Sequence, residues 1–266
     1  MIKKNIKLLL GCILILCSVS AYSSEVIGSY ANGCIAGAKP LLSGNHYQIQ
    51  KWGKDRNYGH PSLISFIKSL SNKAKKNNIP RLLIGDLSSP LGGSFGPRSN
   101  HGSHQSGLDV DISFDFAEPK KTEYELSHPK DIHIVDTNNN KTRHFNQNHI
   151  KLIYLAASDP KVERIFVAPG IKKTLCDVYK NSDRSWLAKV RPWFGHRAHM
   201  HVRLQCPSDS PSCQKQAAVP QGDGCGAELY SWLHPKVPET KGKSLVKKKK
   251  IPPKKCQQLF DSHKKS

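Results

Sequence analysis

Beyond its first two dozen residues the sequence holds no apolar run long enough to span a bilayer, so it offers no transmembrane helix. It holds no C-x-x-C pair, which argues against a thiolate zinc site. No S-x-x-K or G-x-S-x-G motif falls in a strand-to-helix setting, and the serines and lysines of "SLSNKAKK" belong to a solvated helix face. That sets aside the active-serine routes, which are the ones a β-lactam can block. No internal repeat is evident. Acidic residues are scarce, 20 Asp and Glu against 41 Lys and Arg, and the formal charge is +21. Such an excess draws a protein toward polyanions: nucleic acid, anionic lipid or an acidic cell-wall polymer.

What is present begins with a leader. Residues 1–23 read as a cleaved secretory signal peptide, with a basic start (Lys3, Lys4, Lys7), a short apolar stretch from Leu8 to Val19 and small residues Ser20, Ala21 and Ser23 for cleavage. Leu9-Leu10-Gly11-Cys12 resembles a lipobox, but the apolar run continues past Cys12. The remainder suits one domain, 24–240, followed by a lysine-rich C-terminal tail, 241–266. The tail's "VKKKKIPPKK" reads as solvated and poorly ordered, with Cys256 able to tether it to the body. Six cysteines outlast the leader: Cys34, Cys176, Cys206, Cys213, Cys225 and Cys256. An even number in an exported chain implies three disulfides. Cys206 and Cys213 flank a tight loop containing Pro207 and Pro211 and form one natural pair; the other pairings stay open.

Along the chain, residues 24–59 read as loop-rich. "PSLISFIKSLSNKAKKNN" spaces Leu63, Phe66, Ile67 and Leu70 as one helix face. "RLLIGDLS" reads as a buried strand, and "SSPLGGSFGPRSNHGS" as a glycine-rich loop. "GLDVDISFDF" alternates, with Leu108, Val110 and Ile112 on one face and Asp109, Asp111 and Ser113 on the other. "NHIKLIYLAASDP" reads as a helix, and "ERIFVAPG" as a strand leading to a short helix that ends at Cys176. "AHMHVRLQC" alternates again, with Met200, Val202 and Leu204 opposite His199, His201 and Arg203. Together these segments predict an α+β single domain built on a central antiparallel sheet and stapled by disulfides.

Two segments carry candidate chemistry. "SNHGSHQSGLDVD" holds His101, His104, Asp109 and Asp111, and "GHRAHMH" holds His196, His199 and His201. If the two alternating strands are neighbours, His104, Asp111 and either His199 or His201 converge. Two imidazoles and one carboxylate bind zinc through three protein ligands and leave a position open for water. Neither segment contains a Glu to accept the water's proton, so the candidate base is a histidine that does not bind the metal. With His199 and His201 on one strand face, one can ligate while the other serves as base. Other histidines, such as His60, His234 and His263, read as ordinary surface residues.

"SHQSGLDVDI" and "WFGHRAHMHVRL", supported by "RIFVAP", "KVRPWFGHRAHMHVRLQCP" and "GDGCGAEL", closely resemble the penicillin-insensitive murein endopeptidases. These are exported bacterial zinc peptidases in the wider group of lysostaphin-type enzymes, D-Ala-D-Ala metallopeptidases and the zinc domain of sonic hedgehog. The resemblance runs from near Cys34 to about Trp232 and leaves the tail after Lys241 outside. It implies a hedgehog-like fold, a zinc ion on His104, Asp111 and His201, catalytic roles for His199 and His196, and His101 beside the site. It also implies disulfides Cys34–Cys256, Cys176–Cys225 and Cys206–Cys213. The activity implied is a periplasmic D,D-endopeptidase, insensitive to β-lactams, that cuts D-Ala–meso-diaminopimelate cross-links in peptidoglycan. This chain has Asp109 where related enzymes often have Ala. Some relatives hold a second zinc through an Asp and a His; Asp136 matches the first, but Asn139 stands near the place of the second, with His133 as a substitute. A zinc D,D-carboxypeptidase would use the same site. A non-catalytic zinc-stabilised wall-binding domain is opposed by the presence of both His196 and His199. A basic nuclease is opposed by the charge being concentrated in the tail, so no specific nucleic-acid partner is expected.

Overall fold

The computed structural model describes residues 24–96, 99, 101–235 and 250–264. The proposed leader, 1–23, and residues 241–249 of the tail lie outside the described residues. Among the described residues no helix is long and apolar enough to cross a membrane.

The stretch expected to be loop-rich forms short strands. β1 (Glu25–Ser29) and β2 (Asn32–Ala36) make an antiparallel hairpin, β3 (Lys39–Pro40) pairs with β5 (Tyr58–Gly59), and β4 (Tyr47–Ile49) enters the main sheet. Glycine composition hid the hairpin. A Cβ on Gly33 would lie 2.5 Å from the carbonyl oxygens of Ile27 and Ser29, so the close approach of the two strands requires glycine there.

The helix anticipated after His60 is α1 (Pro61–Lys76). Proline at its first position suits a helix start, and Lys73, Lys75 and Lys76 complement the dipole of its last turn. His60 is not a solvated surface residue. It is 3 % exposed, and its Nδ1 accepts a hydrogen bond from the Ser62 N–H to cap α1.

Six strands form the main sheet in the order β4, β6 (Leu82–Ile84), β7 (Asp109–Ser113), β10 (His199–Leu204), β8 (Val162–Val167) and β9 (Val190–Pro192). The centre is antiparallel, as expected. The edges are not: β4 joins β6 in parallel and β9 joins β8 in parallel, so the sheet is mixed. These edge strands are three residues long, too short to show a period, and each reaches its partner through a helical crossover. One crossover is α1; the other runs through α4 (Pro169–Val178) and a 3₁₀ turn at Ser185–Lys189.

One face of the sheet is the core. Val110, Ile112, Met200, Val202 and Ile165 are fully buried in the same cluster as Leu63, Phe66 and Ile67 of α1 and as Leu152 and Ile153 of α3 (Gln147–Ala157). Burying each such side chain stabilises the fold by about 1.5–3 kcal/mol. The opposite face carries the polar side chains, and it is roofed: Asp109 is 0 % and Asp111 7 % exposed.

A small helix, α2 (Glu123–Ser127), starts from a capping box of Thr122 and Glu125, and α5 (Ala227–Leu233) packs on α4. The last element, α6 (Lys254–His263), departs from the expected solvated tail. Cys34 and Cys256, both 0 % exposed, form a disulfide that docks α6 on β2, and Leu259 and Phe260 pack there with Ile27. Disulfides Cys176–Cys225 and Cys206–Cys213 complete the set of three.

Candidate active site

The register of β7 with β10 sets His201 opposite Asp111, His199 opposite Ser113 and Arg203 opposite Asp109. All are on the polar face. On the other side of β10, Phe166 of β8 lies opposite His201.

His104 sits in the loop that leads into β7, at φ 67, a left-handed conformation uncommon outside glycine. Two hydrogen bonds hold it there: its backbone N–H donates to Asp109 Oδ2 at 3.0 Å, and its ring Nδ1–H donates to the Leu87 carbonyl at 2.7 Å. With Nδ1 committed, Nε2 faces Asp111 Oδ2 at 3.3 Å. His201 presents Nδ1 to Asp111 Oδ1 at 3.1 Å and Nε2 to Asp109 Oδ1, also at 3.1 Å. The His104 and His201 rings are 4.6 Å apart, edge to face. His101 turns Nδ1 toward Asp111 Oδ2 at 3.9 Å and Nε2 toward Asp86 Oδ2 at 3.3 Å. His199 Nε2 is 3.7 Å from Asp111 Oδ1. His196 donates Nδ1–H to the Phe194 carbonyl at 2.8 Å, and its ring is 5.1 Å from His199.

Behind this cluster lie two more aspartates, of which the sequence singled out Asp109 but not Asp86. Asp86 is buried and bound to Arg56 at 3.0 Å, and Asp109 takes the Arg203 guanidinium at 2.8 Å. Both aspartates sit behind the histidines: Asp109 steers His201 and the His104 backbone, and Asp86 backs His101. Asp109 was visible as an alternating strand residue; Asp86, at the end of "LLIGD", carried no motif.

Arg203 and His201 outweigh the burial that would raise the Asp109 pKa, and hold it low. His104 and His199 do the same for Asp111, well below the ordinary carboxylate range. Burial alone would lower His104, but Asp111, with help from Asp109 and Asp86, carries it up to about 9. Burial, and then His104, bring His101 down to about 4; burial, and then His199, do the same to His196. Burial and Asp111 raise Asp86.

The arrangement therefore calls for positive charge at one point. His101, His104 and Asp111 each direct a ligand atom to a spot where these atoms lie within 4.8 Å of one another, and among the described residues this is the one such grouping of three. Buried Asp111 Oδ1 and His201 Nε2 have charged or polar neighbours at 3.1 Å but no aligned hydrogen bond. Imidazole nitrogens and a carboxylate with unmet valences fit a divalent transition ion, which would replace the proton that His104 otherwise shares with Asp111. Asp136 is not part of this grouping: its Oδ1 accepts the N–H groups of Asn138 and Asn140 and closes its own turn. Asn139 is likewise engaged, by the Gly170 N–H.

A cleft of about 410 Å³ opens beside the cluster, lined by Trp52, Asp86, His101, Asp111, Ser113 and His199 among others. A second cleft of about 380 Å³, near Glu163, Lys189 and Lys215, contains none of the site histidines.

A buried carboxylate ringed by imidazoles, open to a cleft on one side, defines a candidate metal-dependent hydrolase. The chain belongs to the penicillin-insensitive murein endopeptidase family, whose model matches residues 26–261, and it is a peptidase that acts on murein. The match runs into α6, so the family likeness extends past the boundary expected near Lys241. Proteins named penicillin-insensitive murein endopeptidase are similar over most of the chain. The one from Yersinia enterocolitica is 48 % identical over 247 residues, covering 91 % of this chain and 88 % of the relative. The one from Pectobacterium atrosepticum is 46 % identical, with 91 % and 86 % covered, and that from Haemophilus influenzae 46 % identical, with 89 % and 82 % covered.

Proposed function

We propose that this protein is a zinc-dependent D,D-endopeptidase that hydrolyses D-Ala–meso-diaminopimelate cross-links between peptidoglycan stem peptides. In this reading it works in the periplasm after losing residues 1–23, with residues 24–240 as the catalytic domain and 241–266 as a basic extension. One zinc ion would be held by His104, Asp111 and His201, with His101, whose ligand atom converges with those of His104 and Asp111, beside it. The observation that carries the reading is the buried Asp111 carboxylate: its Oδ1 accepts no aligned hydrogen bond although His201 Nδ1 lies 3.1 Å away, and His104 Nε2 lies 3.3 Å from its Oδ2. Zinc suits this donor set and leaves a coordination position open.

When bound, the ion supplies Lewis acidity toward the scissile carbonyl and a water molecule. His199 takes the water's proton at Nε2, which stands 3.7 Å from Asp111 Oδ1. His196 keeps its Nδ1–H on the Phe194 carbonyl, stays neutral because burial lowers its pKa, and offers Nε2 to a substrate N–H. No serine is acylated, so a β-lactam finds no target.

Digestion of purified sacculi, followed by mass spectrometry, tests the activity. Cross-linked dimers should become monomers that keep D-Ala. Release of terminal D-Ala alone would show a carboxypeptidase, and unchanged dimers would refute hydrolysis. Metal analysis of His201→Ala tests the ligand set: the variant should lose zinc, and full retention would remove His201 from it.

A further inference from the structure

Beside the site, on the His196 flank, large aromatic side chains stand in solvent. Trp193 is 51 % and Phe194 62 % exposed, in the turn that follows β9. Trp232 of α5 lies against both, with ring centroids 5.4 Å from Trp193 and 4.8 Å from Phe194. Phe166 links this group to the site, 5.7 Å from Trp193 and 5.5 Å from His201.

The surface is built rather than loose. The Cys176–Cys225 disulfide ties the start of α5 to α4, and Arg191 of β9 pairs with Glu228 of α5. The fully buried Lys172 donates to the carbonyls of Leu187 and Asp223, at 2.7 and 2.5 Å. The Trp193 N–H is held by the Val167 carbonyl at 2.8 Å, and the Ala168 N–H binds the His196 carbonyl at 2.9 Å. Exposed Trp193 and Phe194, backed by half-buried Trp232 and absent from the core, mark a binding surface.

Murein consists of amino-sugar strands and short peptides. The peptides are small and charged and have little apolar surface to lay on an indole. A pyranose ring has a face of C–H groups that stacks on aromatic rings, with hydroxyls at its rim left in water. Chain length agrees. Trp193, the near edge of the platform, is reached from His201 in two ring-to-ring steps of 5.5 and 5.7 Å, within the ~14 Å at most that an extended peptide of about four residues covers. A stem whose far end is cut at the site can thus carry its sugar onto the platform.

We propose that Trp193, Phe194 and Trp232 form a saccharide subsite that stacks on an amino-sugar ring of the glycan strand, so that the enzyme selects cross-links still attached to sugar. The inference rests on the cross-link reading above, and the test separates the two. Kinetics are compared on a cross-linked muropeptide dimer and on the same dimer stripped of its sugars by an amidase. For the wild type, KM should be lower on the sugar-bearing dimer by roughly tenfold, what withdrawing one ring face from water supplies. Trp232→Ala and Phe194→Ala should each bring the two KM values together, and Trp232→Phe should restore most of the difference. Equal KM values for the wild type would overturn the subsite and leave the cross-link reading standing. Equal losses on both substrates in the variants would also overturn it, since that is what a structural role predicts. A second measurement does not depend on cleavage: peptide-free glycan strands should change the indole fluorescence of the wild type and not of Phe194→Ala. No change in the wild type would refute the subsite, as would a dimer in sedimentation that Phe194→Ala dissociates.

Discussion

Replacing both Cys34 and Cys256 by serine opens a covalent loop with a sequence separation of 222. In the chain-entropy account, closing such a loop raises the free energy of the unfolded chain, through lost entropy, by about 5 kcal/mol at 25 °C. The other two disulfides, with separations of 49 and 7, lie within that span and shorten its free path, but the logarithm makes this worth only a few tenths of a kcal/mol. Total stabilities run to about 5–15 kcal/mol, so the change is a large fraction. The effect is also local. A Cβ on Gly93 would lie 2.9 Å from the Phe260 ring of α6, the Gly93 N–H donates to the Gln105 carbonyl, and the Ile35 N–H of β2 donates to the Leu91 carbonyl. Leu91 and Gly93, which precede His101 and His104, are thus held between the hairpin and α6. The expected outcome in urea is a loss of about 3–5 kcal/mol, accompanied by weaker metal retention. A loss below about 1 kcal/mol with metal content unchanged would refute the reasoning, because it would mean that α6 and the loop stay in place without the bond.

His199→Ala should fold and keep its metal but cleave cross-linked dimer roughly 10²- to 10⁴-fold more slowly, as expected for loss of a general base. Near-normal cleavage would transfer the role to His196. Lys172 tests the platform's foundation: burial, then Arg191, lower its pKa from 10.5 to about 7, with Asp223 and Glu228 opposing and Arg184 adding to the shift. The unfolded chain then binds more protons than the folded one between about pH 7 and 10.5. Stability should therefore climb with pH across that window, by up to about 4–5 kcal/mol, with the penalty fully present below it. Lys172→Met should flatten the climb, and equal slopes in the two proteins would contradict it. Thiol titration of the unfolded, unreduced mature protein should find no reactive group among the six cysteines; any free thiol would break the three-bridge assignment.

Much of the site was legible because strand alternation is a local property. The period of two in "LDVDIS" and "HMHVRL" placed Asp109 and Asp111 on one face and His199, His201 and Arg203 on another before any pairing was known. The helix at 61–76 was legible for the same reason, its apolar residues recurring on one side. Which strand lies beside which is not local. His201 meets Asp111 because residues 90 positions apart pair in register, and a slip of one residue would turn the histidines into the core. The tertiary structure alone supplied the Leu87 carbonyl that fixes the His104 ring, the Asp86–Arg56 pair behind His101 and the two parallel edge strands. It also turned an apparently solvated tail into a docked helix. A run of lysines says only that the charged ends seek water, whereas one buried disulfide and two apolar side chains decide where the helix beneath them rests.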